Sequence, residues 1–133
     1  MTIRVLLADD HRMLREGLRR SLSEEGFNVV GEAADGDEAV RLAQQLRPDV
    51  GLFDIRMPGL DGLEATRRLA GPAVAEPLAI VVITTFDLDE YVYAALRAGA
   101  RGFLLKDAGT VLLSQAIHAA AAGDALIDPS VTV

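Results

Sequence analysis

The sequence predicts an α/β fold, in which a doubly wound, five-stranded parallel sheet carries five helices. The first observation is that short apolar runs alternate five times with segments of helical periodicity, as repeated strand–helix units require. The second is that most of these runs are continuously apolar and rich in Val, Ile and Leu, which is typical of strands buried on both faces, whereas the run at 29–33 is less apolar. Right-handed crossovers between parallel strands then place helices on both faces of the sheet.

The strands are predicted where the apolar runs lie. In chain order they are Ile3–Ala8, Val29–Ala33, Val50–Asp54, Ala79–Thr84 and Gly102–Leu105. Pro48 marks a break just before the third strand, because the residue that precedes a proline is disfavoured in a helix. The fourth run is the most hydrophobic of the five.

The helices are predicted between these strands and after the last one. Their ranges are His11–Glu25, Asp35 to Leu46, the end of the Met57–Gly62 loop to Leu69, Leu88–Ala98 and Thr110–Ala122. The turn Asp35-Gly36-Asp37 supplies a cap for the second helix. One side of the first helix carries Met13, Leu14, Gly17, Leu18 and Leu22, and the other carries Arg12, Arg15 and Arg19. We interpret the arginine side as a solvated face, with contact to a partner protein as the alternative.

The last helix is unusual because it carries no charge. Between Ala108 and Gly123 the sequence has no Asp, Glu, Lys or Arg. The spacing predicts a buried stripe made of Leu113, Ala116, Ile117 and Ala120, and an outer face made of Leu112, Gln115, Ala119 and Ala122. An uncharged outer face indicates an interface, since exposed apolar area marks contact sites. An alanine-rich composition that simply favours helix is the alternative.

Composition limits the classes of function. The chain has 133 residues, enough for one domain with a substantial core. It has no cysteine, which excludes a disulfide framework and a thiolate metal site. Its net charge of −7 argues against direct binding to nucleic acid. No apolar stretch is long enough to span a bilayer, and no signal sequence begins the chain, so we expect a cytoplasmic protein.

Charged side chains follow three of the predicted strands. Asp9 and Asp10 come directly after the first, Asp54 ends the third and Lys106 follows the last, while Thr84 ends the fourth. The carboxyl ends of parallel strands meet at one edge of the sheet, where ligands of open α/β sheets bind. Capping by Asp10 and a surface turn at Asp54 are the alternatives when each residue is taken alone.

Together these residues suit phosphoryl transfer. Three carboxylates in one crevice repel each other and need a cation, and their hard oxygen ligands favour Mg²⁺. A carboxylate nucleophile, a cation, a lysine and a hydroxyl donor are the parts that move a phosphoryl group. We interpret His11 as a residue at the rim of this site and not as a metal ligand.

These residues carry a resemblance to a known family. The segments are Leu7-Ala8-Asp9-Asp10-His11, Asp54-Ile55-Arg56-Met57-Pro58-Gly59-Leu60-Asp61-Gly62, Thr84, and Gly99-Ala100-Arg101-Gly102-Phe103-Leu104-Leu105-Lys106-Asp107. Over nearly its whole length the chain resembles the receiver domain of two-component response regulators. The local spellings Ala-Asp-Asp-His and Gly-Phe-Leu-Leu-Lys-Asp resemble the NarL/LuxR-type subfamily.

The resemblance implies a flavodoxin-like strand order of 2-1-3-4-5 and a set of roles. Asp54 would accept a phosphoryl group from a sensor histidine kinase. Mg²⁺ would be held by Asp9, Asp10, Asp54 and the backbone carbonyl of Arg56. Thr84 would bond the phosphoryl group, Lys106 would pair with it, and Thr84 and Phe103 would form a switch that favours a homodimer on phosphorylation.

The resemblance also implies an organisation. We expect residues 1–123 to form the receiver domain and residues 124–133 to begin a linker to a C-terminal helix-turn-helix domain outside this chain. The function would be phosphorylation-controlled transcription, with DNA bound only through that domain, no membrane contact and no catalysis beyond the protein's own phosphorylation and dephosphorylation. A standalone receiver that acts through protein contact is the alternative.

Two other classes of function fit the residues less well. In an aspartyl-phosphate phosphatase, a second aspartate two residues after the nucleophile would serve as general acid, but Arg56 occupies that position. A flavin-binding protein would need a hydroxyl-rich first loop, which is absent.

Overall fold

A computed structural model describes residues 2–85 and 89–129 of the chain. Within these residues the fold is one parallel sheet of six strands in the order β2-β1-β3-β4-β5-β6, with five helices. The strands are β1 Arg4–Ala8, β2 Asn28–Ala33, β3 Val50–Asp54, β4 Ala79–Thr84, β5 Gly102–Leu105 and β6 Leu126–Ile127. The helices are α1 Arg12–Glu24, α2 Gly36–Leu46, α3 Gly62–Ala70, α4 Asp89–Arg97 and α5 Thr110–Ala121.

The predicted α/β class and the five predicted strands are confirmed, but the number of strands is wrong. The sixth strand, β6, is parallel to β5 and pairs Leu126 with Gly102 and Ile127 with Phe103. Two residues are too few to give a recognisable apolar run in the sequence. The strand is defined by its pairing with β5 at the edge of the sheet. The strand lies inside the segment 124–133 that the sequence analysis assigned to a linker.

Asp128 secures β6 against β5. Its backbone N–H donates to the carbonyl of Phe103 at 2.8 Å, and its buried carboxylate accepts the N–H of Leu105 at 3.0 Å. Residues up to Asp128 therefore belong to the sheet, and a linker to another domain stays a prediction for the residues beyond.

Two helices begin at aspartate caps. The side chain of Asp35 accepts the N–H of Glu38 at 2.8 Å at the start of α2, as the sequence predicts. Asp61 accepts the N–H of Glu64 at 2.8 Å at the start of α3. These bonds satisfy amide groups that have no partner inside a helix. The predicted start of α4 at Leu88 lies outside the described residues.

The sheet separates two apolar layers. Side chains alternate along β1, so that Leu6 and Ala8 face one layer and Val5 and Leu7 face the other. The first layer is covered by α2, α3 and α4, and the second by α1 and α5. The fold is therefore doubly wound, and the carboxyl ends of its strands lie along one edge between the two layers.

The two amphipathic predictions have different outcomes. The buried stripe of α5 is confirmed, since Leu113, Ala116, Ile117 and Ala120 are its buried residues. In α1 the placement of Met13 on the buried side is wrong, since its side chain is 86% exposed. Nine residues separate it from the buried Leu22, which places the two on opposite sides of a helix with 3.6 residues per turn. No helix among the described residues is long and apolar enough to cross a membrane.

Candidate functional site

The strand ends bring two carboxylates and one ammonium group into contact. Lys106 Nζ lies 2.9 Å from Asp9 Oδ2 and 3.0 Å from Asp54 Oδ2. The three side chains are 10%, 1% and 7% exposed, respectively. They come from the ends of β5, β1 and β3, so residues almost 100 positions apart in the chain meet as the parallel sheet requires.

Asp9 is held from several sides. Its N–H donates to Ala33 at 3.0 Å, and its Oδ1 accepts the N–H of His11 at 2.8 Å. Its Oδ2 is buried and lies 2.9 Å from the ammonium group of Lys106. Lys106 is shared between two buried carboxylates, so a second cation would stabilise the pair further.

Asp10 and His11 complete a group that could hold a metal ion. One ligand atom each from Asp9, Asp10 and His11 lie within 4.8 Å of one another. His11 is 77% exposed, with Nδ1 3.9 Å from a carboxylate oxygen of both aspartates. Mg²⁺ prefers oxygen ligands and keeps several waters, so the two aspartates fit this cation and the imidazole is not needed. His11 therefore stays at the rim.

Burial and charge set the ionisation of the pair. Burial raises the pKa of Asp54, the charge of Asp9 adds to this rise, and the hydrogen bond and charge of Lys106 oppose it. Burial alone would lower the pKa of Lys106, but Asp9 and Asp54 outweigh it, so its pKa is raised. Lys106 is thus firmly cationic, and a further cation near Asp54 would favour its ionised, nucleophilic form.

Thr84 and Phe103 lie on neighbouring strands beside this group. Thr84 is buried at the end of β4, and its carbonyl accepts the backbone N–H of Lys106 at 2.9 Å. Phe103 is fully buried in the layer that contains Val92 and Ala95 of α4. The two residues therefore lie on paired strands, and the Phe103 ring packs in the layer under α4.

The loop after Asp54 follows a tight path. Gly59 has φ 67°, a left-handed conformation that favours glycine. A Cβ atom on Gly62 would lie 1.8 Å from the carbonyl oxygen of Asp54, and the N–H of Gly62 donates to Ile55 at 2.7 Å. The two glycines thus allow the compact path of the loop beside Asp54.

Arg56 lies in this loop beside a shallow cleft. It lines the cleft together with Asp10, Met57 and Tyr91. Its guanidinium donates to the hydroxyl of Tyr91 at 3.1 Å. Tyr91 was not predictable from the sequence, because a tyrosine in an amphipathic helix has no feature that distinguishes a site residue from a packing residue.

Residues 5–118 match the family model of the response regulator receiver domain, so the chain belongs to this family. The transcriptional regulatory protein LiaR of Bacillus subtilis (strain 168) is 44% identical over 130 residues, which cover 97% of this chain and 61% of LiaR. The nitrate/nitrite response regulator protein NarL of Escherichia coli (strain K12) is 40% identical over 129 residues, which cover 96% of this chain and 59% of NarL.

A solved structure gives the same result. The crystal structure of a LuxR-family two-component response regulator from Aurantimonas sp. SI85-9A1 matches with a TM-score of 0.90 and 37% identity, covering 98% of this chain and 93% of that one. The resemblance to NarL/LuxR-type receivers is thereby confirmed. This chain spans about three fifths of the length of the curated relatives it matches, 61% for LiaR and 59% for NarL.

Proposed function

We propose that Asp54 accepts a phosphoryl group from the phosphohistidine of a sensor histidine kinase, and that this controls transcription through an output domain. The observation that carries the proposal is the ammonium group of Lys106, which contacts Asp54 and Asp9 together. It lies where it can neutralise the charge that an incoming phosphoryl group brings to two buried carboxylates.

The transfer is a simple displacement at phosphorus. A carboxylate oxygen of Asp54 forms a bond to phosphorus, the bond from phosphorus to the histidine nitrogen breaks, and its electron pair returns to the imidazole, which takes a proton from water. Bound Mg²⁺ supplies charge neutralisation at the phosphoryl oxygens. Asp9, Asp10, Asp54 and the backbone carbonyl of Arg56 would hold it, Thr84 would donate its hydroxyl to the phosphoryl group and Lys106 would pair with it. The protein would catalyse only its own phosphorylation and dephosphorylation.

The proposed output is transcription. Among the relatives, LiaR is named as a transcriptional regulatory protein, and both LiaR and NarL are longer than this chain. The receiver itself has a net charge of −7, which disfavours direct binding to DNA, so the proposal assigns DNA contact to a helix-turn-helix domain. A cytoplasmic protein fits this role.

A standalone receiver that acts through protein contact is the second candidate function. The open reading frame beyond Val133 distinguishes it from a receiver with an output domain.

The proposal predicts phosphorylation of Asp54 that depends on Mg²⁺. Wild-type protein incubated with acetyl phosphate and Mg²⁺ should gain the mass of one phosphoryl group, measured by intact-protein mass spectrometry. Asp54→Asn should gain none, because an amide is not a nucleophile at phosphorus. A chelator should prevent labelling of the wild type. Labelling of Asp54→Asn, or full labelling in chelator, would contradict the proposal.

Phosphorylation is proposed to favour a homodimer through a switch at Thr84 and Phe103. Movement of the Thr84 hydroxyl toward the phosphoryl group would free space for the Phe103 ring and shift an existing equilibrium. The uncharged outer side of α5 supports an interface, since Leu112 and Ala119 are only half-buried there and Val111 is 73% exposed.

We expect phosphorylated wild type to self-associate in sedimentation velocity, while Leu112→Glu stays monomeric because a charge enters the apolar contact. Thr84→Ala should be phosphorylated and also stay monomeric, because the switch lacks its hydroxyl. Asp124→Asn, a change at an exposed residue beyond α5, is the control and should behave as wild type. Self-association of both test variants at wild-type strength would contradict this part of the proposal.

A further inference from the structure

Arg15 does not lie on a solvated face, in contrast to the interpretation of the α1 arginines from the sequence. Its side chain is only 16% exposed and makes two contacts. Its Nη1 donates to the backbone carbonyl of Asp9 at 2.6 Å, and its Nε donates to Glu32 Oε1 at 3.1 Å. One guanidinium group thus ties α1 both to the acidic loop and to β2.

This contact completes the support of Asp9. The N–H of Asp9 is bound by Ala33, Oδ1 by the N–H of His11, and the carbonyl by Arg15. The remaining oxygen, Oδ2, lies 2.9 Å from the ammonium group of Lys106. The peptide bond whose carbonyl Arg15 holds is the one that joins Asp9 to Asp10, so the contact restrains the backbone that carries both carboxylates.

We propose that Arg15 is a positioning residue for the cation site, and that Glu32 holds it in place. The inference rests on the proposed Mg²⁺ site and assigns it a support outside the ligands themselves. The planar guanidinium of Arg15 donates to the Asp9 carbonyl and to the Glu32 carboxylate at the same time. The single ammonium group of a lysine does not reproduce this fixed arrangement of donors. Groups that orient metal ligands in this way affect metal affinity without touching the ion.

Electrostatics and positioning predict opposite results for loss of Arg15. A positive charge near the acidic group repels Mg²⁺, so its removal should tighten binding if only charge matters. If Arg15 positions the ligands, its removal should weaken binding, because Asp9 and Asp10 then sample other directions. The sign of the change in Mg²⁺ affinity therefore separates the two explanations.

Arg19 provides a matched control one turn further along α1. Its Nε contacts the other oxygen of the same carboxylate, Glu32 Oε2, at 3.1 Å. Arg19→Met removes the same charge from the same helix and the same partner as Arg15→Met. The two variants differ in the contact to the carbonyl of Asp9, which among the described residues only Arg15 makes through its side chain.

The experiment is a Mg²⁺ titration of ¹⁵N-labelled protein, followed by amide shifts in NMR spectra. Arg15→Met should raise the dissociation constant for Mg²⁺ by about tenfold, whereas Arg19→Met should stay within about twofold of wild type, since it leaves the ligand loop intact. Thermal unfolding without Mg²⁺ is recorded for each variant, because a merely structural role would lower stability without changing the affinity of the folded protein.

Three outcomes would overturn the proposal: wild-type or tighter affinity in Arg15→Met, equal weakening in both variants, or wild-type affinity in Arg15→Lys. The Arg15→Lys variant keeps the positive charge but lacks the planar guanidinium with its several donors. It replaces Arg15→Met in the titration if Arg15→Met does not fold. Absence of Mg²⁺ binding by wild type would contradict the proposed function itself, and is thereby distinguished from failure of this inference alone.

Discussion

Replacing Lys106 with methionine is expected to lower the free energy of unfolding at pH 7 by about 3 kcal/mol, near the lower end of the cost of leaving a buried charge without its partner. The ammonium group contacts Asp9 and Asp54, which are both buried and would face each other without a cation. Asp54 can moderate the loss by taking up a proton, because its pKa is already raised by burial. Urea unfolding of both proteins measures the difference.

The effect should depend on pH in a defined direction. Loss of Lys106 removes the main influence that lowers the pKa of Asp54, so this pKa rises further in the variant. A carboxyl group whose pKa is raised in the folded state loses stability as pH rises through that pKa. The deficit should therefore be small below the ordinary aspartate pKa of about 3.9, and largest at neutral pH.

Two variants test the cause of this effect. Lys106→Met combined with Asp54→Asn should recover part of the loss, because one of the two facing charges is gone. Arg12→Met removes a cation that is 82% exposed and pairs with Glu16, and should change stability by less than about 0.5 kcal/mol. Wild-type stability of Lys106→Met at pH 7 would show that the ammonium group does not neutralise this pair.

Replacing Gly62 with alanine is expected to disturb both folding and phosphorylation. The new methyl group would lie 1.8 Å from the carbonyl oxygen of Asp54, where backbone must shift to make room. Forcing atoms into a packed interior costs about 1–3 kcal/mol. The carbonyl that must move belongs to the phosphoacceptor itself, and a shift of about 1 Å at a reacting group can slow a reaction about 100-fold.

Gly17 gives the matched control for this change. It lies inside α1, where a Cβ atom would meet nothing within 4 Å. Gly17→Ala should therefore stabilise the protein by about 0.5–1 kcal/mol, because alanine loses less backbone entropy than glycine in a helix. Urea unfolding and the initial rate of labelling by acetyl phosphate are measured for both variants. Normal labelling of Gly62→Ala would contradict the close approach beside Asp54.

The alternation of apolar runs with segments of helical periodicity was enough to predict five strands and the helices between them. β1, which Asp9 follows, and β3, which ends at Asp54, are buried on both faces, so their apolar runs are continuous and end at a charged residue. The edge strand β6 was not predictable from such a pattern. Leu126–Ile127 pairs with β5 because Asp128 binds Leu105, a tertiary contact that has no counterpart in the local sequence.

The residues of the candidate site were likewise only partly predictable from the sequence. Asp9, Asp54 and Lys106 could be brought together from the sequence because strand ends of a parallel sheet share an edge. Arg15 could not be separated from Arg12 or Arg19, since all three have the spacing of one helix face. Its role depends on how α1 sits against the loop that carries Asp9, and this is set by packing in three dimensions.

The central claim is that Asp54 is the phosphoacceptor, and locating the acyl phosphate tests it most directly. Protein labelled with acetyl phosphate and Mg²⁺ is treated with borohydride, which reduces an aspartyl phosphate to homoserine, and the peptides are sequenced by mass spectrometry. We expect homoserine at position 54 and at no other aspartate. Homoserine at Asp9, Asp10 or Asp61, or none anywhere in a labelled sample, would contradict the assignment.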